Sequence, residues 1–527
     1  MMATLTLLDW SVIAGYFAIV IVIGWVVSRN MKSGEDLFLA GRSLGFATIG
    51  FSLFASNISS TTLIGVSGQA YASGISVASY ELMAGILLAI MAFTTIPVFL
   101  RIRITTIPEF FGRRFGPTAQ RYFSGVTLFL TVFVDMAASV YAGVVVLQAF
   151  FPAIPFVPMC IALAAFAGLY TAAGGLRAVV YTDVLQAIVL LIGAAGITYA
   201  VFSQFGFDWD TAQASLPDGH LSIVRPADDA ALPWPGLILG VPILGWFYWS
   251  SNQYVMQRVL GAKDMEQARR GASFAGLLKI LPVFVMAIPG ALAFSLIPGL
   301  ENSDLVFPTL IADFLPAGMT GLVLAGLIAA IMSTVDSTLN SASTLMLYDF
   351  LKVSEKNWSQ KKILNAGRMT TAGLITIAAL WPLVIREFPG VFGYIQQVFG
   401  YAVPPVVAVM TLALFWKGVT GRAAIATLII GHLIGAATFA YRAWCVSTGT
   451  PDVLPHFLML SGYTTIFLVI LCAGISYADK KSMLPTTEDV WKLSDLNPMR
   501  DRKLLLDYRL HAPLVLFACL FVIWLFR

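Results

Sequence analysis

The chain has 527 residues, 58% of them hydrophobic and 11% charged, with a formal net charge of +4. Soluble domains carry about 25% charged residues, so most of this surface must face lipid, and the small positive charge does not indicate nucleic acid as a partner. Cys160, Cys445, Cys472 and Cys519 sit in or beside apolar segments without metal-ligand spacing, which argues against a zinc site or a disulfide framework.

The pattern is that of an all-α polytopic membrane protein with about 14 transmembrane helices, at ~20 apolar residues per span. Apolar stretches begin near residues 8, 44, 76, 122, 157, 178, 235, 271, 318, 361, 391, 421, 455 and 510. The first follows a segment without Lys or Arg, so it is expected to remain as a membrane helix and not to be a cleaved leader. Lys and Arg then alternate sharply between loops. Of the 32, only Arg225, Arg386, Arg442 and Arg527 fall on the poor side, and Lys279 falls inside a helix. The positive-inside rule makes the rich side cytoplasmic and places both termini extracytoplasmic. The long outer stretch 205–234, with Asp208, Asp210, Asp218, Asp228 and Asp229, reads as an irregular surface loop or a lid. The basic stretch 479–509 reads as a solvated connector against anionic headgroups, with a helical regulatory handle as the alternative.

Function begins with polar groups inside the spans. Glu81, Asp135, Asp183, Lys279 and Asp336 are ionisable residues at membrane depth, where each costs several kcal/mol unless it is paired or faces water. A structural pair between helices explains any one of them; five together favour a hydrated path. The second span carries Ser52, Ser56, Asn57, Ser59, Ser60, Thr61 and Thr62. Such side chains compete for backbone hydrogen bonds and can open a helix, freeing carbonyls of the kind that transporters use for cations. Polar helix–helix packing is the plainer alternative. In the ninth span Ala330, Ser333, Thr334 and Ser337 share one helix face, a stripe of oxygen suited to a hard cation such as Na⁺.

These segments occur together with Thr105-Thr-Ile-Pro-Glu-Phe110, Gly174-Gly-Leu-Arg-Ala-Val-Val-Tyr-Thr-Asp-Val-Leu-Gln186 and Tyr248-Trp249. Asn252-Gln253-Tyr254-Val-Met-Gln-Arg258, Tyr394-Ile-Gln396 and Pro404-Pro405 complete the set. In this combination and order, over roughly residues 10–480, the chain resembles the solute:sodium symporter family, and within it the bacterial sodium/sugar cotransporters. The resemblance implies a LeuT-like five-plus-five inverted repeat that works by alternating access. The repeats fall at 44–204 and 235–416, separated by the loop 205–234. An extra helix and the first cytoplasmic loop occupy 1–43, and extra helices with the basic loop occupy 417–527. The implied location is the plasma membrane, a bacterial inner membrane.

Position by position, the resemblance implies a sodium site from the carbonyls of Ala55, Ile58 and Ala330 and the hydroxyls of Ser333 and Thr334. Asp183 matches a residue associated with a second sodium, with Ser337 beside it. Glu81, Lys279, Gln396, Asn57, Thr62 and Asp135 are the implied solute-binding residues, and Tyr248, Trp249 and Phe392 the gate. Sugar hydroxyls both donate and accept, so carboxylate, ammonium and amide groups can all be satisfied around one. Gly245 stands where the sugar-binding relatives have asparagine, Thr62 where they have a longer polar side chain, and Asp135 where they are neutral. Asp135 is therefore open to pairing with Lys279 or to contacting a cationic or polyol ligand.

The expected activity is Na⁺-coupled symport of a small polar solute, sugar first, with a polyol, sialic acid, an amino acid or a carboxylate as alternatives. Na⁺ is the coupling ion, no organic cofactor is called for, and the bilayer is the surrounding partner. An enzyme is disfavoured because His220, His432, His456 and His511 are scattered without a catalytic motif. A channel is disfavoured because no pore motif repeats.

Overall fold

The computed structural model describes residues 5–28, 40–171, 176–351, 358–479, 489–496 and 507–527, and among these the chain is helical without a β-strand. The first half runs α1 (Leu7–Ser28), α2 (Phe46–Asn57), α3 (Ser60–Ser73) and α4 (Ala78–Phe93). Next, α5 (Pro117–Phe129) passes through a π-helical segment, Leu130–Met136, into α6 (Ala137–Phe150), followed by α7 (Phe156–Thr171) and α8 (Leu176–Ser203). The second half opens with α9 (Val241–Ser250), α10 (Gln253–Leu260), α11 (Met265–Leu278), α12 (Ile288–Leu296) and α13 (Met319–Leu345). It closes with α14 (Gln360–Leu380), α15 (Val391–Ala402), α16 (Pro404–Phe415), α17 (Gly421–Thr448), α18 (Phe457–Ala478) and α19 (Tyr508–Leu525).

A helix begins near each expected start. By length and composition, nine of the described helices suffice to cross a membrane, or eleven if each of two bent pairs forms one span. The difference from fourteen lies in short or broken elements: the apolar helices Leu7–Ile23 and Phe156–Gly168 are short, and the expected seventh span is interrupted at Ser251–Asn252. Ile192, Leu433, Ile470 and Phe517 are exposed on the flanks, as a surface solvated by hydrocarbon requires.

The polar run in the second span does break the helix. α2 and α3 bend by 57°, and Ser59 at the junction is extended, with φ −91° and ψ 177°. Local hydroxyls take up backbone oxygens around the break: Ser56 Oγ donates to the Ser52 carbonyl at 2.5 Å, and Thr62 Oγ1 donates to the Asn57 carbonyl. The break at Ser251–Asn252 is tied elsewhere, because Gln253 Oε1 accepts the Ile107 N–H at 2.7 Å. That bond joins two of the sequence motifs, whereas Gly174 and Gly175 of a third lie outside the described residues.

The long helix α13 is fixed from outside the broken-helix region. Asp9 Oδ1 accepts the N–H groups of Gly318 at 2.7 Å and Gly321 at 2.8 Å, capping α13 from α1. A Cβ on Gly321 would fall 2.5 Å from the Asp9 carbonyl oxygen, so only glycine admits this approach.

Two loop expectations are refined. The stretch 205–234 contains a short helix, Trp209–Ala214, and its His220 carbonyl accepts the Ile75 N–H at 2.9 Å, so it is docked on the bundle. The stretch 479–509 is not simply solvated. In its described part, Trp491 Nε1 donates to the Phe93 carbonyl at 2.8 Å, and Asp495 pairs with Arg101; residues 480–488 and 497–506 lie outside the described residues.

Candidate functional site

The broken helices enclose a cavity of about 110 Å³. α2 and α3 contribute Asn57, Ser59, Thr61 and Thr62 to its wall, and α4 contributes Glu81. Asp135 enters from the π-helical segment, Tyr248 and Trp249 from α9, and Phe392 and Gln396 from α15. A π-helical turn adds a residue to the helix ladder and is frequent at functional sites; here it carries Asp135 to the cavity. All the sequence-derived solute and gate residues except Lys279 therefore lie on one surface. Polar and aromatic groups both line it.

Lys279 is placed differently. It is fully buried behind the wall, where its ammonium donates to Glu81 Oε2 at 2.5 Å and to Asn57 Oδ1. It lies 5.6 Å from the Trp249 ring centroid and 6.0 Å from that of Phe54. Its partner is thus Glu81, and Asp135 is reached instead by the Asn252 amide at 3.5 Å. Among the described residues, no Lys or Arg pairs with Asp135.

A smaller chamber lies next to this cavity. Ala55, Ala330, Ser333, Thr334 and Ser337 line it together with Ser56, Gln186, Tyr254 and Arg258, so the predicted stripe on α13 does face the carbonyl end of α2. Ile58, at the break itself, is not among its lining residues. Thr334 Oγ1 donates to the Ala330 carbonyl at 2.9 Å, and the buried Ser337 hydroxyl has no hydrogen-bond partner. An unsatisfied buried oxygen costs about 1–3 kcal/mol, and a hard cation in the chamber would supply the missing contact. Thr334 lines both the chamber and the larger cavity.

Asp183 stands at the back of the chamber. Its Oδ1 accepts the Ser333 hydroxyl at 2.5 Å, while Oδ2 accepts Ser52 Oγ at 2.9 Å and Arg258 Nη2 at 2.9 Å. Both Asp183 and Arg258 are 1% exposed. Both carboxylate oxygens are therefore engaged by protein donors, and a guanidinium supplies the counter-charge. Asp336 is buried on α13 but lines neither space.

Two aromatic residues that sequence reasoning did not single out complete the site. Tyr254 lines both spaces and exchanges a 3.0 Å hydrogen bond with the Tyr248 hydroxyl. Tyr80 meets Phe392 edge to face, with centroids 5.1 Å apart. On the far side of that pair is a vestibule of about 50 Å³, lined by Gln69, Ser73, Ala231 and Leu232 as well as Tyr80 and Phe392. The pair, together with Gln396, which also lines both spaces, separates the cavity from the end of the bundle that carries the stretch 205–234. Its position immediately before the intramembrane Glu81 was the available signal for Tyr80.

A cavity among broken helices, joined through Thr334 and Tyr254 to a small polar chamber, is the arrangement of a coupled transporter. Residues 37–431 match the Sodium:solute symporter family, and the chain belongs to that family. It is a transporter, not an enzyme. It is 33% identical to the human sodium/myo-inositol cotransporter, the alignment covering 87% of this chain and 70% of that one. It is 34% identical to the rabbit sodium/glucose cotransporter 1, covering 82% and 72%. Among solved structures, the substrate-bound outward-open state of a Na⁺-coupled sialic acid symporter shares the fold, with a TM-score of 0.74 at 22% identity, covering 90% of this chain and 98% of that one. A nucleobase-cation-symport-1 family transporter is a more distant match, with a TM-score of 0.55 at 15% identity, covering 87% and 98%.

Proposed function

We propose that this chain couples Na⁺ entry to uptake of a neutral polyhydroxylated solute, a sugar or a cyclic polyol, across the plasma membrane. The observation that carries the reading is the position of Thr334, whose side chain belongs to both the oxygen-lined chamber and the larger cavity. Sodium held by the carbonyls of Ala55 and Ala330 and the hydroxyls of Ser333 and Thr334 draws α13 and the α2 break together. That movement sets the wall against which solute binds. The repeats at 44–204 and 235–416 then rock about the site, with both chain ends extracytoplasmic.

The charge on the wall favours a neutral solute. Glu81 is neutralised by Lys279, but Asp135 faces the cavity without a cationic partner among the described residues. An anionic solute such as a carboxylate or a sialic acid would find no Lys or Arg on this wall to pair with among the described residues. Hydroxyl groups can instead donate to Asp135 and Glu81 and accept from Gln396. The named sodium/myo-inositol and sodium/glucose relatives point to the same chemical class. One sodium per cycle is the simplest count, because a second ion at Asp183 and Ser337 requires Arg258 to leave its carboxylate partner.

Purified full-length protein in proteoliposomes tests this reading. An inward Na⁺ gradient is expected to drive accumulation of D-glucose or myo-inositol, and replacing Na⁺ by K⁺ to abolish it. Accumulation without Na⁺, or of amino acids and carboxylates alone, would overturn it.

A further inference from the structure

A buried carboxylate remote from both spaces holds the outer end of the gate helix. Asp304 lies in a single turn, Ser303–Leu305, and is 1% exposed. The Val391 N–H at the start of α15 donates to its Oδ2 at 3.0 Å and to its Oδ1 at 3.3 Å. Tyr141 of α6 donates its hydroxyl to Oδ2 at 3.2 Å. Asp304 therefore ties α15 to α6 through one side chain. The turn itself is pressed onto α3, where a Cβ on Gly68 would fall 2.6 Å from the Ser303 carbonyl oxygen. Gly390, immediately before α15, has no side chain to hold the carboxylate away; a Cβ there would sit 3.3 Å from Asp304 Oδ1. Val391 is followed directly by Phe392, half of the barrier over the cavity.

We propose that Asp304 is a positioning residue for the gate: by fastening the first turn of α15 to α6 and to the turn seated on α3, it holds Phe392 against Tyr80. The inference rests on the reading of the Tyr80–Phe392 pair as a barrier to the cavity. When the latch lets go, the first turn of α15 is free to swing and the cavity communicates with the vestibule.

The latch carries a pH signature. Burial pushes the Asp304 carboxyl up to about 6, from an ordinary value of 3.8. Its titratable neighbour is Tyr141; Arg386, ion-paired with Glu387 at 3.3 Å, acts on that tyrosine, and α3 contributes backbone at this contact. The latched form, with the higher pKa, binds a proton more tightly than a released, solvated carboxyl does. Acid between those two values therefore favours the latched gate, and the bias fades above about pH 6.

The test uses full-length protein bearing Thr61→Cys, a cavity position, and a charged methanethiosulfonate reagent; the four native cysteines are buried. Labelling rates are expressed relative to the same cysteine in a Phe392→Ala background, which cancels the thiol's own titration. Asp304→Ala is expected to raise the relative rate about tenfold, the factor for one charged hydrogen bond, and to remove its pH dependence. Asp304→Asn keeps an acceptor for Val391 without a charge, and is expected to label slowly and alike from about pH 7 to about pH 5. The unmutated latch is expected to label more slowly at the acid end. If Phe392→Ala does not itself speed labelling, the barrier reading fails. If Phe392→Ala does but both Asp304 variants match the parent in rate and pH profile, the latch is overturned.

Discussion

The Lys279 ammonium donates to the Glu81 carboxylate across 2.5 Å, joining α11 to α4 directly behind the cavity wall. Only Glu81 of the two lines the cavity, so on the proposed function the pair divides the work: Lys279 fixes and neutralises a carboxylate offered to the solute. Removing one partner of a buried pair strands the other, at about 3–5 kcal/mol. Lys279→Met is therefore expected to lower the unfolding temperature sharply. Glu81→Gln is expected to do so as well, and to weaken D-glucose or myo-inositol binding by about 1.5–3 kcal/mol. The double variant should recover stability without recovering solute binding. Thermal unfolding and equilibrium binding on the same preparations check this, and full recovery of both would make the pair purely structural.

The sodium chamber predicts a split between two neighbouring residues. Ser333 lines the chamber alone, whereas Thr334 lines chamber and cavity. Ser333→Ala should raise the Na⁺ concentration for half-maximal uptake and leave solute affinity at saturating Na⁺ unchanged. Thr334→Ala should shift both. Each change removes one ligand oxygen, so an effect of about tenfold in half-saturating Na⁺ is expected. Na⁺ titrations of uptake at fixed solute would show it; identical behaviour of the two variants would remove Thr334 from the solute side.

Asp183 makes the opposite prediction from that of a second cation site. Its oxygens are taken by Ser52, Ser333 and Arg258, so Asp183→Asn should destabilise the protein by about 3–5 kcal/mol by stranding the guanidinium. The Hill slope for Na⁺ should not change. A slope that falls in Asp183→Asn, in protein that remains folded, would show that a second ion binds there.

Much of this architecture was legible because a membrane constrains sequence strongly. Helix starts followed from apolar length, and the break between Asn57 and Ser60 from seven hydroxyl or amide side chains in one span. The stripe Ala330–Ser337 followed from helical spacing alone, since neighbours on one face need no tertiary knowledge. What stayed hidden were contacts between distant segments. Lys279 reaches a residue 198 positions away, and Arg258 reaches Asp183 across 75; nothing local states which partner a buried charge chooses. The break at Ser251–Asn252 falls in a shorter polar run, Ser250-Ser251-Asn252-Gln253, whose partner is distant in sequence, as Gln253 is tied to Ile107.

On the proposed function Thr334 belongs to both the ion and the solute site, so that each ligand prepares the wall for the other. Coupling of this kind is reciprocal: the factor by which Na⁺ tightens solute must equal the factor by which solute tightens Na⁺. The most direct test is equilibrium binding of D-glucose or myo-inositol to purified full-length protein across a Na⁺ series, beside Na⁺ binding across a solute series, in the parent and in Thr334→Ala. Equal factors well above one are expected in the parent and a marked loss of both in the variant. Solute affinity that is indifferent to Na⁺, or coupling left intact by Thr334→Ala, would contradict it.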